Sequence, residues 1–191
     1  MKVKLFVALA VVEAAIILYS PYVPWLSFTG LIRRDDEAYE VSGSTCGLGI
    51  GTLKRTSAKV TVWSGEHWST AGSDFWFGWL SIVGSLLIFF FILIFMKVNK
   101  PLIPTFLVLI CGILPVIAAS LAIYYQPQTF TVRGQIPNYP VDIGIVRTED
   151  ATISIGIGPW LSLAGGVLSI ISIISAYYFR SKQKEEKTCR K

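Results

Sequence analysis

The chain reads as a membrane α+β protein, a four-transmembrane-helix bundle with an extracytoplasmic β-rich cap built from two duplicated helix–β–helix halves. Three observations predict this. Four apolar runs are long enough to cross a bilayer, Lys and Arg cluster on one side of them, and a polar, alternating phrase occurs twice. At 53% hydrophobic residues in a chain of 191, the composition is too apolar for an ordinary soluble domain.

The first half covers 1–97. Its first span, 5–25, is interrupted only by Glu13. The start "MKVKLFVALAVVEAAIILYS" also resembles a secretory signal peptide, but the apolar run resumes after Glu13, so retention as a span is expected. An outside β segment, 38–65, follows, and then a span at 75–96. That span contains "FWFGWLSIVGSLLIFFFILIFM", 22 residues without a charge, or about 33 Å of helix at ~1.5 Å per residue. The second half, 98–179, repeats the plan with a span at 102–125, a β segment at 129–157 and a span at 159–179. A basic tail, 180–191, closes the chain.

Orientation follows from the positive charges. Lys2, Lys4, Lys97, Lys100 and the tail residues Arg180, Lys182, Lys184, Lys187, Arg190 and Lys191 fall at one set of span ends. The loops at the other ends hold seven basic residues against nine acidic ones. The bias toward Lys and Arg near span ends puts both termini and the "KVNK" link in the cytoplasm of a multi-pass cell-membrane protein. The net charge of +5 is then a topology signal, and no nucleic-acid partner is expected. The bilayer itself is one partner, and the basic tail would attract anionic lipid at ~1 kcal/mol per residue.

The repeated phrase is "GTLKRTSAKVTVWSG" (Gly51 to Gly65) and "GIVRTEDATISIGIG" (Gly144 to Gly158). Gly51 matches Gly144, Ala58 matches Ala151, Val60 and Val62 match Ile153 and Ile155, and Gly65 matches Gly158. Upstream, "YEVSG" matches "FTVRG", and "YSP" matches "YQP" at the close of a span. Downstream, "WLSIVG" (Trp79 to Gly84) matches "WLSLAG" (Trp160 to Gly165). The match leaves two insertions in the first half, roughly Tyr22 to Glu37 and Glu66 to Phe77, and places Ala119 opposite Glu13. A two-residue period marks strands with one buried face, about three per half, with "KRTS" and "RTED" as turns. Strands cannot lie open in lipid, where unpaired amides cost several kcal/mol, so they form a cap outside. Two halves of equal orientation would be related by a pseudo-twofold axis along the membrane normal.

Helix contact in lipid depends on close approach. Ser162, Gly165, Gly166, Ser169, Ser172 and Ser175 give the last span a face of small residues, and Gly78, Ser81, Gly84 and Ser85 do so near the start of the second. Pro104 and Pro115 lie in the third span, where Pro115 is expected to bend the helix. Glu13 is the intramembrane acid. It is read either as a proton or cation site or as a structural acid bonded between helices. The six Trp residues lie in the outside loops or at the outer boundary, as an aromatic belt would. The insertion "EHWSTAGSDFWFGW" supplies His67, Trp68, Phe75 and Trp76 as candidate interface contacts with a partner.

The single histidine excludes a bis-histidine haem or a histidine-rich metal centre built from this chain alone, and no catalytic residue, cofactor or metal is expected. Cys46, Cys111 and Cys189 fall outside, within a span and in the tail, too far apart to bridge one another. "GLGIG" (Gly47 to Gly51) superficially has the look of a phosphate loop, but its setting reads as a strand with small side chains. In topology the chain resembles the claudin-type tetraspans, with both ends inside and a long first outside loop. The residues depart from that family: Trp25 is followed by "TCGLGIG", with no Trp after Gly47-Leu48 and no second loop cysteine. The resemblance therefore carries over neither function nor residues.

These readings lead to a non-enzymatic polytopic membrane protein whose cap mediates protein–protein contact or assembly at the cell surface, with another protein or in a homo-oligomer. The alternative is a small transporter, channel or accessory subunit of a membrane complex using Glu13. A third is a membrane protein encoded by a virus or mobile element.

Overall fold

The computed structural model describes residues 2–34, 37–57, 60–69, 77–98, 101–124, 129–136, 139–147 and 151–188. Helices dominate. α1 is Lys2–Tyr19, α2 Phe77–Lys97, α3 Leu102–Tyr124 and α4 Ile157–Thr188. Among the described residues, four helical stretches are long and apolar enough to cross a membrane: Lys2–Tyr22, Phe77–Lys97, Leu102–Tyr124 and Ile157–Lys184. They form a ring in which α1 packs on α2 and α4, and α3 packs on the same two.

Toward the sheet the bundle interior is mostly small or polar, and the outside of the bundle is large and apolar. Ser81, Ser85, Ser162, Ser169 and Ala10, Ala14, Ala118, Ala119 and Ala122 are fully buried. Ile103 is 71% exposed, Leu93 63% and Phe106 62%. A water-soluble bundle shows the reverse, because burying large apolar groups is what drives its assembly. On α1 the buried set is Val7, Ala10, Glu13, Ala14 and Ile17, one stripe at helical spacing. Larger residues fill the half of the bundle away from the sheet, where Ile88, Ile92, Phe95, Val108 and Ile173 meet.

The first apolar run divides before its expected end at 25. α1 stops at Tyr19, Ser20–Tyr22 forms a single 3-10 turn, and strand β1, Pro24–Arg34, begins at once. Pro21 has no amide hydrogen to continue the helix, and Ser20 Oγ donates to the Ile17 carbonyl at 2.8 Å, using an acceptor the helix end leaves free.

The remaining strands are β2 Glu37–Cys46, β3 Ile50–Ser57, β4 Val60–Ser69, β5 Thr129–Ile136, β6 Tyr139–Arg147 and β7 Ala151–Ile155. The sheet order is β6-β5-β4-β3-β2-β1-β7, with every neighbouring pair antiparallel. The segment first read as an insertion, Tyr22 to Glu37, supplies β1, which separates β2 from β7. β2, β1 and β7 lie side by side at one end of the sheet, and β1 contacts α4.

Two short stretches differ from the sequence reading. "KRTS" continues β3, with Arg55 opposite Val41 and Trp63, and does not turn there. "GLGIG" is mostly the turn between β2 and β3. Gly49 N–H donates to the Cys46 carbonyl at 3.1 Å, and Gly49 has φ of 81°, a left-handed conformation that costs a residue with a Cβ.

Candidate functional site

Three polar constellations are held by the bundle. The first joins sheet to helices. Trp25 is fully buried, and its Nε1–H donates to the Ser20 carbonyl at 2.7 Å. Its indole lies against Gly47 and Gly158, and a Cβ on Gly47 would come within 2.8 Å of ring carbon Cε2. Backbone bonds complete the joint: Gly47 N–H to Pro21 O at 2.9 Å, Gly78 N–H to Gly47 O at 3.0 Å, and Gly156 N–H to Trp25 O at 2.8 Å. The first turns of α2 and α4, the β2–β3 turn and the end of α1 are thereby bolted around one side chain. Trp25 therefore does not belong to a boundary belt, whereas Trp79 and Trp160, 54% and 52% exposed, stand at the cap ends of α2 and α4. Pro21, Pro24, Gly47 and Gly158 were the signals that could have singled Trp25 out.

The second constellation lies below the joint. Ser81 and Ser162 hydroxyls meet at 2.7 Å, and Ser162 Oγ donates to the Pro115 carbonyl at 3.2 Å. Each serine has one proton, so Ser81 donates to Ser162 and the chain ends on Pro115 O. Alongside it run two glycine-mediated crossings. A Cβ on Gly84 of α2 would come within 3.1 Å of the Cys111 carbonyl and 2.9 Å of Pro115 Cδ on α3. A Cβ on Gly165 of α4 would come within 3.3 Å of the Glu13 carbonyl and 2.7 Å of Ile17 Cγ1 on α1. The next residues face the other way. Ser85 Oγ donates to the Ala14 carbonyl at 2.7 Å, and a Cβ on Gly166 would come within 3.0 Å of the Gly112 carbonyl.

The third constellation is Glu13. It is 8% exposed, and Oε1 accepts from Ser172 Oγ at 3.0 Å. Oε2 has no hydrogen-bond partner, nor has the buried Ser169 Oγ. The serine face of α4 thus meets the acid, a pairing for which each residue had been singled out separately.

At the end of the bundle away from the sheet, Arg180 donates to the Phe95 and Val98 carbonyls, the latter at 2.6 Å. Its guanidinium lies 5.0 Å from the Phe95 ring centroid. It caps α2, satisfying carbonyls that a helix C-terminus leaves open. Sequence reading counted Arg180 only as a topology charge. Lys2 sits over the Phe179 ring at 5.1 Å, and Phe6 stacks on the same ring at 5.5 Å.

The candidate interface residues do not form a described cluster. His67 and Trp68 extend β4 and, with Ser69, pair it to β5 through Gly134, Arg133 and Val132. Their side chains, and Phe75 and Trp76 altogether, lie outside the described residues. Among the described residues no three His, Cys, Asp or Glu side chains come together. Cys46 and Cys111 are free thiols, the first half-buried and the second buried.

A scan against protein-family models gives no match, and a search of the curated proteins finds no relative.

Proposed function

We propose that the protein is a non-enzymatic, multi-pass cell-membrane protein that holds a β cap outside the bilayer for contact with another protein or with a second copy of itself. The reading is carried by the Trp25 joint. A sheet fixed to three helix ends through one buried indole and three backbone hydrogen bonds is held at a set angle to the bundle, as a docking platform needs. Its membrane setting is supported by the large apolar side chains on the outside of the bundle and the small or polar ones buried toward the sheet, a distribution expected where lipid replaces water. The cytoplasmic side is read from the Lys and Arg at the Arg180 end.

We also read the two halves as a tandem duplication. Ser81 and Ser162 occupy the same place in "WLSIVG" and "WLSLAG" and bond each other, as equivalent residues on a twofold axis would. Gly84 and Gly165 face α3 and α1, while Ser85 and Gly166 face α1 and α3, as exchange of the halves requires. In this frame Glu13 corresponds to Cys111 and not to Ala119, because the α3 contacts lie two turns earlier than the "YSP" and "YQP" anchors imply. The cap departs from the exchange at its edge. β4 pairs with β3, but its counterpart β7 pairs with β1.

The test is photocrosslinking from Thr29, Thr152 and Ser154, exposed residues on β1 and β7. The expected result is a discrete adduct, to one other polypeptide or to a second copy, from cap positions and not from Lys184. A folded protein that crosslinks from none of the three would end the docking reading.

A further inference from the structure

We infer that Glu13, Ser169 and Ser172 form a binding site for one exchangeable proton in the middle of the bundle. Three observations converge on it. The carboxyl is buried with only one of its two oxygens bonded. A second buried polar atom, Ser169 Oγ, is also unbonded, and it lies three residues before Ser172 and four after Gly165, the residue that touches the Glu13 backbone. Those spacings put all three on the face of α4 that meets Glu13. Finally, the crossing does not need the acid. Gly84 packs on the Cys111 backbone as Gly165 packs on that of Glu13, with a thiol in place of the carboxyl.

An ionised carboxylate only accepts, so both serines would have to donate to it, and its charge would still be buried with no cation bonded to it. A carboxylic acid uses both serines: Ser172 donates to Oε1, and Oε2–H donates to Ser169 Oγ after rotation about one serine bond. The site takes up one proton from solvent and returns it, with no other bond changed. Titratable groups on the packed elements are Lys97 on α2, Cys111 and Tyr124 on α3, Tyr22 in the 3-10 turn and Tyr177, Tyr178, Arg180, Lys182, Lys184, Glu185, Glu186 and Lys187 on α4. None is bonded to Glu13 among the described residues, and Arg180 is committed to carbonyls of α2.

The experiment uses dicyclohexylcarbodiimide, an apolar reagent that modifies carboxyl groups in their protonated form, on the purified full chain, with Glu13 modification read by mass spectrometry. Glu13 should be labelled in mildly acidic buffer and spared in alkaline buffer, with or without sodium. Ser169→Ala removes the acceptor for the acid proton and should move the pH midpoint of labelling down; a midpoint moved up would show Ser169 donating to the carboxylate instead and would overturn its part in the site. Ser172→Ala removes the donor to the carboxylate and should move it up. Glu13→Gln, which keeps the shape and an acceptor for Ser172, should fold with an unchanged melting temperature and take no label at this position. Absent labelling in folded protein, labelling independent of pH, protection by sodium, or identical midpoints in the two serine variants would each overturn the inference.

Discussion

Two crossings in the bundle are built alike and differ in chemistry. α4 crosses α1 at Gly165, against the backbone of Glu13, and α2 crosses α3 at Gly84, against the backbone of Cys111. One carries a buried acid with a serine on it, the other a buried thiol. The close approach that joins helices in lipid is supplied by glycine in both. What differs is the side chain, and the comparison separates what holds the helices together from what is available for other work.

The largest effect should come from filling either crossing. Gly84→Leu and Gly165→Leu should each cost about 3 kcal/mol or more through overpacking, read as a lower melting temperature in detergent. Alanine should sharpen the contrast. On Gly84 the new methyl meets the Cys111 carbonyl and the Pro115 ring, neither of which can yield. On Gly165 its nearest neighbour is the Ile17 side chain, which can rotate. Gly84→Ala should therefore destabilise more than Gly165→Ala.

Next in size is transplantation. Cys111→Glu places an acid where no serine donor is provided and should cost ~2.5 kcal/mol or more on insertion scales, measured by the yield of folded protein. If it proved as stable as the parent, the Glu13 setting would have no special chemistry. Ser172→Ala should cost only about 0.6 kcal/mol, the average for hydrogen bonds between helices in a membrane, despite its effect on proton uptake. Smallest is the coupling of Ser81 to Ser162, again about 0.6 kcal/mol in a double-mutant cycle of alanine variants.

The four helices were legible because their apolar runs are long, and the small-residue faces were legible because glycine and serine recur at three and four. The end of α1 was less so. Leu5 to Trp25 is nearly continuous in hydropathy, and only Pro21 and Pro24 mark the change of backbone that puts Trp25 in the joint. Strand β1 was passed over because "PWLSFTGLIRR" sits beside acidic residues and lacks a counterpart in the second half. The Glu13–Ser172 contact was out of reach, since its partners lie 159 residues apart and nothing in a single sequence sets the rotation of one helix against another. The capping role of Arg180 was missed for a related reason. Near a span end a cation serves orientation and helix capping alike, and composition alone does not separate the two.

The central claim is that the bundle crosses a bilayer with the sheet on one side and the basic end on the other. Its most direct test is a membrane-impermeant thiol reagent applied to intact cells. The variants carry a single cysteine at Thr152 in the cap or at Lys184 in the basic segment, with Cys46, Cys111 and Cys189 replaced. The cap cysteine should react at once and the Lys184 cysteine only after the membrane is opened. Equal labelling of both in intact cells, or labelling of Lys184 alone, would contradict the account.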